Sequence, residues 1–174
     1  LYYTDEEVDK YSRSGGMRRA QEKIAFRVIE LLDLKGSERV LEVGTGRGYQ
    51  SAILGELAKE VYTIEIVPEI ARDAQETLAL LRYENVSCKI GDGFQGWPEK
   101  APFDAILVMA SAKSVPTPLL DQLVTGGRLV MPIGEGENQS LVLYRKHTEG
   151  LKKESIMPVR LDPLEGQAAR KAFR

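Results

Sequence analysis

Three glycines at alternate positions, Gly44, Gly46 and Gly48, join the apolar run Val40-Leu41-Glu42-Val43 to a helical pattern that begins near Tyr49. Glycine lets a chain turn tightly and approach a ligand with no Cβ in the way, and the first N–H groups of the following helix face whatever is held there. The stretch therefore reads as a binding loop, with Thr45, Tyr49 and Gln50 beside the glycines. Its spacing departs from the dinucleotide fingerprint G-x-G-x-x-G, and no Gly-Lys-Ser/Thr follows as a phosphate loop requires. The acidic flank, with Glu42 at the base, favours a cationic ligand over a pyrophosphate.

Two more carboxylates fall where the same ligand would need them. Glu65 ends the run Val61-Tyr62-Thr63-Ile64, nineteen residues beyond Gly46 and just before Ile66. An acceptor-only carboxylate at the end of a second strand is placed for the hydroxyls of a ribose. Asp92 lies between Gly91 and Gly93 after the run Val86 to Ile90, and can accept from an adenine amino group. Trp97, a little further on, is a candidate shield for that pocket or a core residue. The single cysteine, Cys88, reads as a small hydrophobe within a strand, and the single histidine, His147, as a surface residue near a turn. Neither a metal site nor a catalytic triad can be built around them.

These groups need a scaffold, and the periodicity supplies one. A chain of 174 residues, 43% hydrophobic and 29% charged with net charge −2, makes one soluble domain with no global attraction to nucleic acid or membrane. No apolar run approaches a membrane span and no signal-peptide pattern opens the chain, so the expected compartment is the cytoplasm. Thr4-Asp5-Glu6-Glu7 is a capping box for a short helix to about Tyr11. From Met17 a longer amphipathic helix carries Ile24, Val28, Leu31 and Leu32 inward, with Arg13, Arg18, Arg19, Lys23 and Arg27 on its entry loop and other face.

Strands and helices then alternate. Arg39 to Val43 is a strand, Tyr49 to about Ala58 a helix, Val61 to Glu65 a strand, and Pro68 opens a helix with the apolar stripe Ile70, Ala74, Leu78 and Leu81. Val86 to Ile90 and Asp104 to Ala110 are further strands, the second apolar enough to be covered on both faces. Pro116 and Pro118 open a helix containing Leu119, Leu120, Leu123 and Val124 that stops at Gly126-Gly127, before a strand from Arg128 to Ile133. Segments Ser140 to Lys146 and Ser155 to Leu161 follow with no long helix between them, so they pair antiparallel. The expected fold is α/β: a mostly parallel seven-stranded sheet with an antiparallel edge and helices on both faces.

The stretch Gly44-Thr45-Gly46-Arg47-Gly48-Tyr49-Gln50-Ser51-Ala52 resembles motif I of the class I S-adenosylmethionine-dependent methyltransferases, and within them the protein-L-isoaspartate O-methyltransferase family. The likeness runs over about residues 34–166 and includes Glu65, Gly91-Asp92-Gly93, Gly126-Gly127-Arg128-Leu129-Val130-Met131-Pro132 and Gln139. It implies a Rossmann-like catalytic core at 34–166 behind an N-terminal helical cap at 1–33, all in one domain. It implies S-adenosyl-L-methionine as cofactor, S-adenosyl-L-homocysteine as product, and a protein or peptide carboxylate as acceptor. Glu42, Gly44, Thr45, Gly46, Gly48, Tyr49, Gln50, Glu65, Ile66, Gly91, Asp92 and Gly93 are then the cofactor-binding set, and Met109 to Ala112 floors the acceptor pocket.

Two departures fall on the acceptor side. No Gly-Gln-Thr-Ile-Ser element precedes Leu34, so the family's catalytic hydroxyl has no match and the catalytic residue is unknown; Leu161-Asp162-Pro163-Leu164 stands where the family has Phe-Val-Pro-Leu. The first 32 residues are similar instead to the start of ribosomal RNA guanine-N7 methyltransferases, in Leu1-Tyr2-Tyr3, Lys10-Tyr11, Met17, Gln21 and Ala25 through Leu32. RNA and small molecules are therefore alternative acceptors, and a non-catalytic cofactor-binding domain is a third reading.

Overall fold

The computed structural model describes residues 16–166, with side chains from residue 23 onward. The capping box at Thr4, the short helix to Tyr11 and Arg13 lie outside the described residues, as do the side chains of Arg18, Arg19 and Gln21. Helix α1 (Gly16–Leu32) leads to β1 (Arg39–Val43), α2 (Tyr49–Leu57), β2 (Glu60–Glu65), α3 (Pro68–Leu80) and β3 (Val86–Ile90). Two 3-10 turns, Gly93–Gln95 and Pro98–Lys100, precede β4 (Phe103–Val108), α4 (Thr117–Asp121), β5 (Leu123–Glu135), β6 (Asn138–His147) and β7 (Gly150–Val159).

The seven strands form one sheet in the order β3-β2-β1-β4-β5-β6-β7. β1 to β5 run parallel, and β6 and β7 return antiparallel, as the missing helix between them requires. Because neighbouring residues of a strand point to opposite faces, the unbroken apolar run of β4 feeds two cores at once. Phe103, Ile106 and Val108 pack with Leu41, Leu129, Met131 and Leu119 on one face. Ala105 and Leu107 pack with Val40, Leu54, Leu141 and the Ile24, Val28, Leu32 stripe of α1 on the other. On the opposite side of α1, Lys23 and Arg27 are exposed, and Arg27 pairs with Glu30 at 2.9 Å.

Local periodicity misplaced one helix face and one boundary. The buried stripe of α3 is Ala71, Ala74 and Leu78, whereas Ile70 and Leu81 are 38% and 61% exposed. Helix α4 is also shorter than its apolar spacing suggests, because Leu123 already pairs with Phe103 as the start of β5. The Lys146 ammonium takes the carbonyls of Leu120 and Leu123, each at 2.7 Å, where that helix stops. The chain then makes an excursion through Gly126 (φ +86°) and rejoins β4 at the pair Ala105 and Arg128.

The turn before β1 is organised by a residue that the sequence reading did not single out. One oxygen of Glu38 accepts from the backbone N–H groups of Lys35, Gly36 and Ser37, at 2.9, 2.9 and 3.1 Å. Burial pushes its carboxyl upward, but the amide donors outweigh it and hold it below the usual carboxylate range.

Candidate functional site

The sheet changes direction of winding between β1 and β4, so the crevice at their carboxyl ends is the place where an open α/β sheet accepts a ligand. Val43 closes β1 with its carbonyl accepting from Met109 N–H at 3.0 Å. Immediately beyond, the N–H groups of Gly44 and Thr45 both donate to Ile64 O, at 2.9 and 3.3 Å, which pins the loop to β2. Gly44, Gly46 and Gly48 take φ of +100°, +52° and +80°, in the left-handed region that favours glycine. Nothing lies within 4 Å of where a Cβ on Gly46 would stand, so that glycine faces open space. A Cβ on Gly48 would instead stand 3.4 Å from Leu78.

Thr45 is locked beneath the loop, its hydroxyl 2.6 Å from that of Thr63 and buried. Glu42 lies wholly buried below it. One carboxylate oxygen accepts from the Ser51 hydroxyl in the first turn of α2, and the other, Oε1, has no partner among the described residues. Burial raises the Glu42 pKa to about 7, Glu65 adding to the effect while the Ser51 and Thr63 hydroxyls oppose it. Glu65 reaches back over the loop: Oε2 accepts from Gly46 N–H at 3.0 Å and Oε1 from Val67 N–H at 3.1 Å. Its carboxylate thereby links the glycine loop to the start of α3, with partly buried Ile66 between.

Gly91 N–H donates to Glu65 O at 2.9 Å, bringing the exit of β3 alongside. There Asp92 caps a 3-10 turn, its Oδ1 accepting from Phe94 N–H at 2.9 Å. Tyr49 stands at the rim with 59% of its surface exposed, where α2 begins and the first amides of a helix have no carbonyl of their own helix to donate to.

Three of these positions have a packing role. The Gln50 carboxamide donates to Ala25 O of α1, at 3.5 Å, a contact between α2 and α1. Gly93 turns inward, where a Cβ would come within 2.3 Å of Val43 Cγ1; close packing explains this glycine. Trp97 takes the core alternative, packing edge-on against Tyr62, 5.6 Å between ring centres, over the Phe103 core. Cys88 sits in β3 as expected, and burial pushes its thiol up to about 11, away from nucleophilic use. No group of His, Cys, Asp and Glu among the described residues could hold a metal.

Across the switch point, the exit of β4 forms the other wall. Ala112 is stitched between Pro132 and Gly134 of β5, and Ser111 is buried against residues 161–164. An open hollow of about 350 Å³, lined by Lys59, Glu60, Tyr62, Glu84, Asn85 and Ser87, lies at the starts of β2 and β3 and shares no residue with the glycine loop. The crevice thus offers a buried, half-partnered carboxylate, a glycine loop with open space above Gly46, and a second carboxylate held across it. This donor set fits a ligand that carries an ammonium and a diol.

A parallel sheet with an antiparallel edge, a glycine loop after its first strand and a carboxylate ending its second define a Rossmann-like class I methyltransferase fold. The chain belongs to the protein-L-isoaspartate(D-aspartate) O-methyltransferase family, which it matches over residues 14–169. It is 51% identical over 153 residues to protein-L-isoaspartate O-methyltransferase 1 of Nitrosospira multiformis, a match covering 87% of this chain and 65% of that protein. A solved protein-L-isoaspartate O-methyltransferase superposes with TM-score 0.77 at 28% identity, over 88% of this chain and 52% of the other. A Plasmodium falciparum chain assigned to the same enzyme family, solved with S-adenosyl-L-homocysteine, superposes with TM-score 0.65 at 27% identity, over 87% and 78% of the two chains. The match begins at residue 14, so α1 shares the family likeness that the sequence reading began near residue 34.

Proposed function

We propose that the protein transfers a methyl group from S-adenosyl-L-methionine to the free carboxylate of an isoaspartyl residue in a protein or peptide. The observation that carries this reading is the convergence of Glu42, the Gly44 to Gly48 loop and Glu65 at one sheet edge, in a chain of this family. Glu42 and the loop hold the methionyl end, Glu65 the ribose hydroxyls, and the segment around Asp92 the adenine edge. The bound cofactor supplies an activated methyl on a sulfonium. Such a displacement is in line, so the chain's task is to fix the acceptor opposite the departing sulfur. A carboxylate already carries the attacking lone pair, which is why the crevice needs no general base. In this reading Met109 to Ala112, at the exit of β4, floor the acceptor.

No helix among the described residues is long and apolar enough to cross a membrane. A cytoplasmic site of action is part of the proposal.

The test is incorporation of labelled methyl into an isoaspartyl peptide beside total RNA. Label on the peptide alone is the expected result, and label on RNA alone would overturn the acceptor. Replacing Glu65 by Ala removes a charge-assisted acceptor from the ribose, at a cost of about 1.5–3 kcal/mol in binding. Calorimetry with S-adenosyl-L-homocysteine reads this, and unchanged affinity would show the diol lies elsewhere.

A further inference from the structure

We propose that Arg128, Arg145 and Lys152 form a docking surface, at the end of the sheet away from the cofactor crevice, for an acidic stretch of the protein substrate. The proposal deepens the methyltransferase reading above and rests on it.

Strand register brings the three side chains together. Val61, Val40 and Ala105 stand opposite one another on β2, β1 and β4, and the same transverse row continues through Arg128 on β5 and Arg145 on β6 to Lys152 on β7. Directly paired residues point to the same face of a sheet, so all six lie on the face that α1 and α2 cover. Under those helices the row is apolar and buried. It becomes cationic where α1 ends. Arg128 Nη2 donates to Asp33 O, one residue beyond the helix, at 3.5 Å, while the side chains of Arg145 and Lys152 are exposed. Neighbouring strands lie about 4.8 Å apart, so two spacings set three cations in a line about 10 Å long. Like charges placed directly opposite across a ladder repel, and the fold keeps them there.

The chain does not neutralise this line. None of the three forms an ion pair among the described residues, and the buried Nε–H of Arg128 has no partner among them. The acid at the end of α1, Asp33, is bound by Lys35, and the positive field of Arg128 and Arg145 adds to Lys35 in holding its carboxyl below the usual range. The other titratable groups here are Glu154, two residues beyond Lys152 on the same face of β7, and His147 and Glu149 at the β6–β7 turn. A guanidinium presents its N–H groups as a planar fork that fits a carboxylate, so the line is complementary to successive Asp or Glu side chains. Its position fixes what can use it. The row crosses β1 at Val40, four residues before Gly44, and Arg145 lies three strands from β1, which puts the row about 20 Å from the glycine loop. A short peptide held in the crevice does not reach that far, whereas a protein or a long peptide touches both.

Arg145→Gln and Lys152→Gln are made together in the full chain, since both side chains are exposed. Methyl transfer is measured with three acceptors: an isoaspartyl peptide of about six residues, and two of about thirty residues whose tails are rich either in glutamate or in glutamine. The KM for the glutamate-rich peptide is expected to rise by about fivefold at low salt with kcat unchanged, while the other two stay within about twofold. In the parent, added salt should raise the KM of the glutamate-rich peptide alone, and the double variant should lose that dependence. Arg145→Glu with Lys152→Glu should enlarge the effect to about tenfold or more. An unchanged KM for the glutamate-rich peptide in the charge-reversed protein would overturn the proposal, and so would an equal rise for all three acceptors, the mark of a structural change. Binding of single-stranded RNA in preference to the glutamate-rich peptide, lost in the same variants, would assign the row to phosphate groups and overturn it too. A parent chain that labels no isoaspartyl peptide counts against the methyltransferase reading. The surface is then judged by fluorescence anisotropy of the glutamate-rich peptide, where weaker binding to the variants supports it and equal binding sinks it.

Discussion

Gly46→Val is expected to abolish binding of S-adenosyl-L-homocysteine while leaving a folded protein. The fold has room for the change, since nothing stands within 4 Å of a Cβ at that position. The strain is local: at φ +52° an L-residue costs roughly 1–2 kcal/mol, and a β-branched one is worse placed still. The ligand meets the rest of the penalty, because the branched side chain fills space over which the loop must approach it, adding about 1–3 kcal/mol of overpacking. Relaxing that strain would also displace the Gly46 N–H that orients Glu65. Calorimetry should show affinity lower by about a hundredfold or more, with far-UV circular dichroism close to the parent. Gly93→Ala is the contrasting case, since its Cβ collides with Val43 inside the core and should damage stability first. Normal binding by Gly46→Val would mean that the loop does not approach the ligand.

That contrast shows what the sequence could and could not reveal. Gly46 and Gly93 look alike as glycines three residues beyond the end of a strand, yet one faces open space and the other is wedged against β1, a difference made by residues far apart in the chain. The parallel half of the sheet was legible because β1, β2 and β3 each end at a glycine or an acid, and β4 is an unbroken apolar run. β5 was misjudged for the opposite reason. Leu119, Leu120, Leu123 and Val124 keep helical spacing, but Leu123 is drawn into the ladder by its pairing with Phe103, and local spacing carries no information about that partner. The carboxylates Glu42 and Glu65 could be placed from their strand ends alone. Gln139 was visible only as part of a likeness, since its buried carboxamide bonds to the backbone of Leu161, which β7 brings back beside it.

The second large effect concerns Glu42 and is expected to appear as a pH dependence that the substitution Glu42→Gln removes. Glu42 is wholly buried and its pKa is raised from 4.5 to about 7, chiefly by desolvation, so the folded chain holds a proton there that the unfolded chain has already released. A raised carboxyl contributes stability that is complete below the unfolded pKa and is lost as pH rises through the folded one. Between pH 4.5 and about 7 the parent should therefore lose about 3 kcal/mol that the Glu42→Gln protein does not lose, and the difference between the two denaturation curves isolates this group. Ligand binding should run the other way. The methionyl ammonium assigned to this end of the crevice favours the ionised carboxylate, whose Oε1 has no other partner among the described residues. Affinity for S-adenosyl-L-homocysteine should then fall as pH drops below about 7, approaching about tenfold per pH unit, and Glu42→Gln should bind more weakly with a flat profile. Calorimetry across this range on both proteins is the measurement. Parallel profiles would separate Glu42 from the ligand and leave it a structural carboxyl held by Ser51.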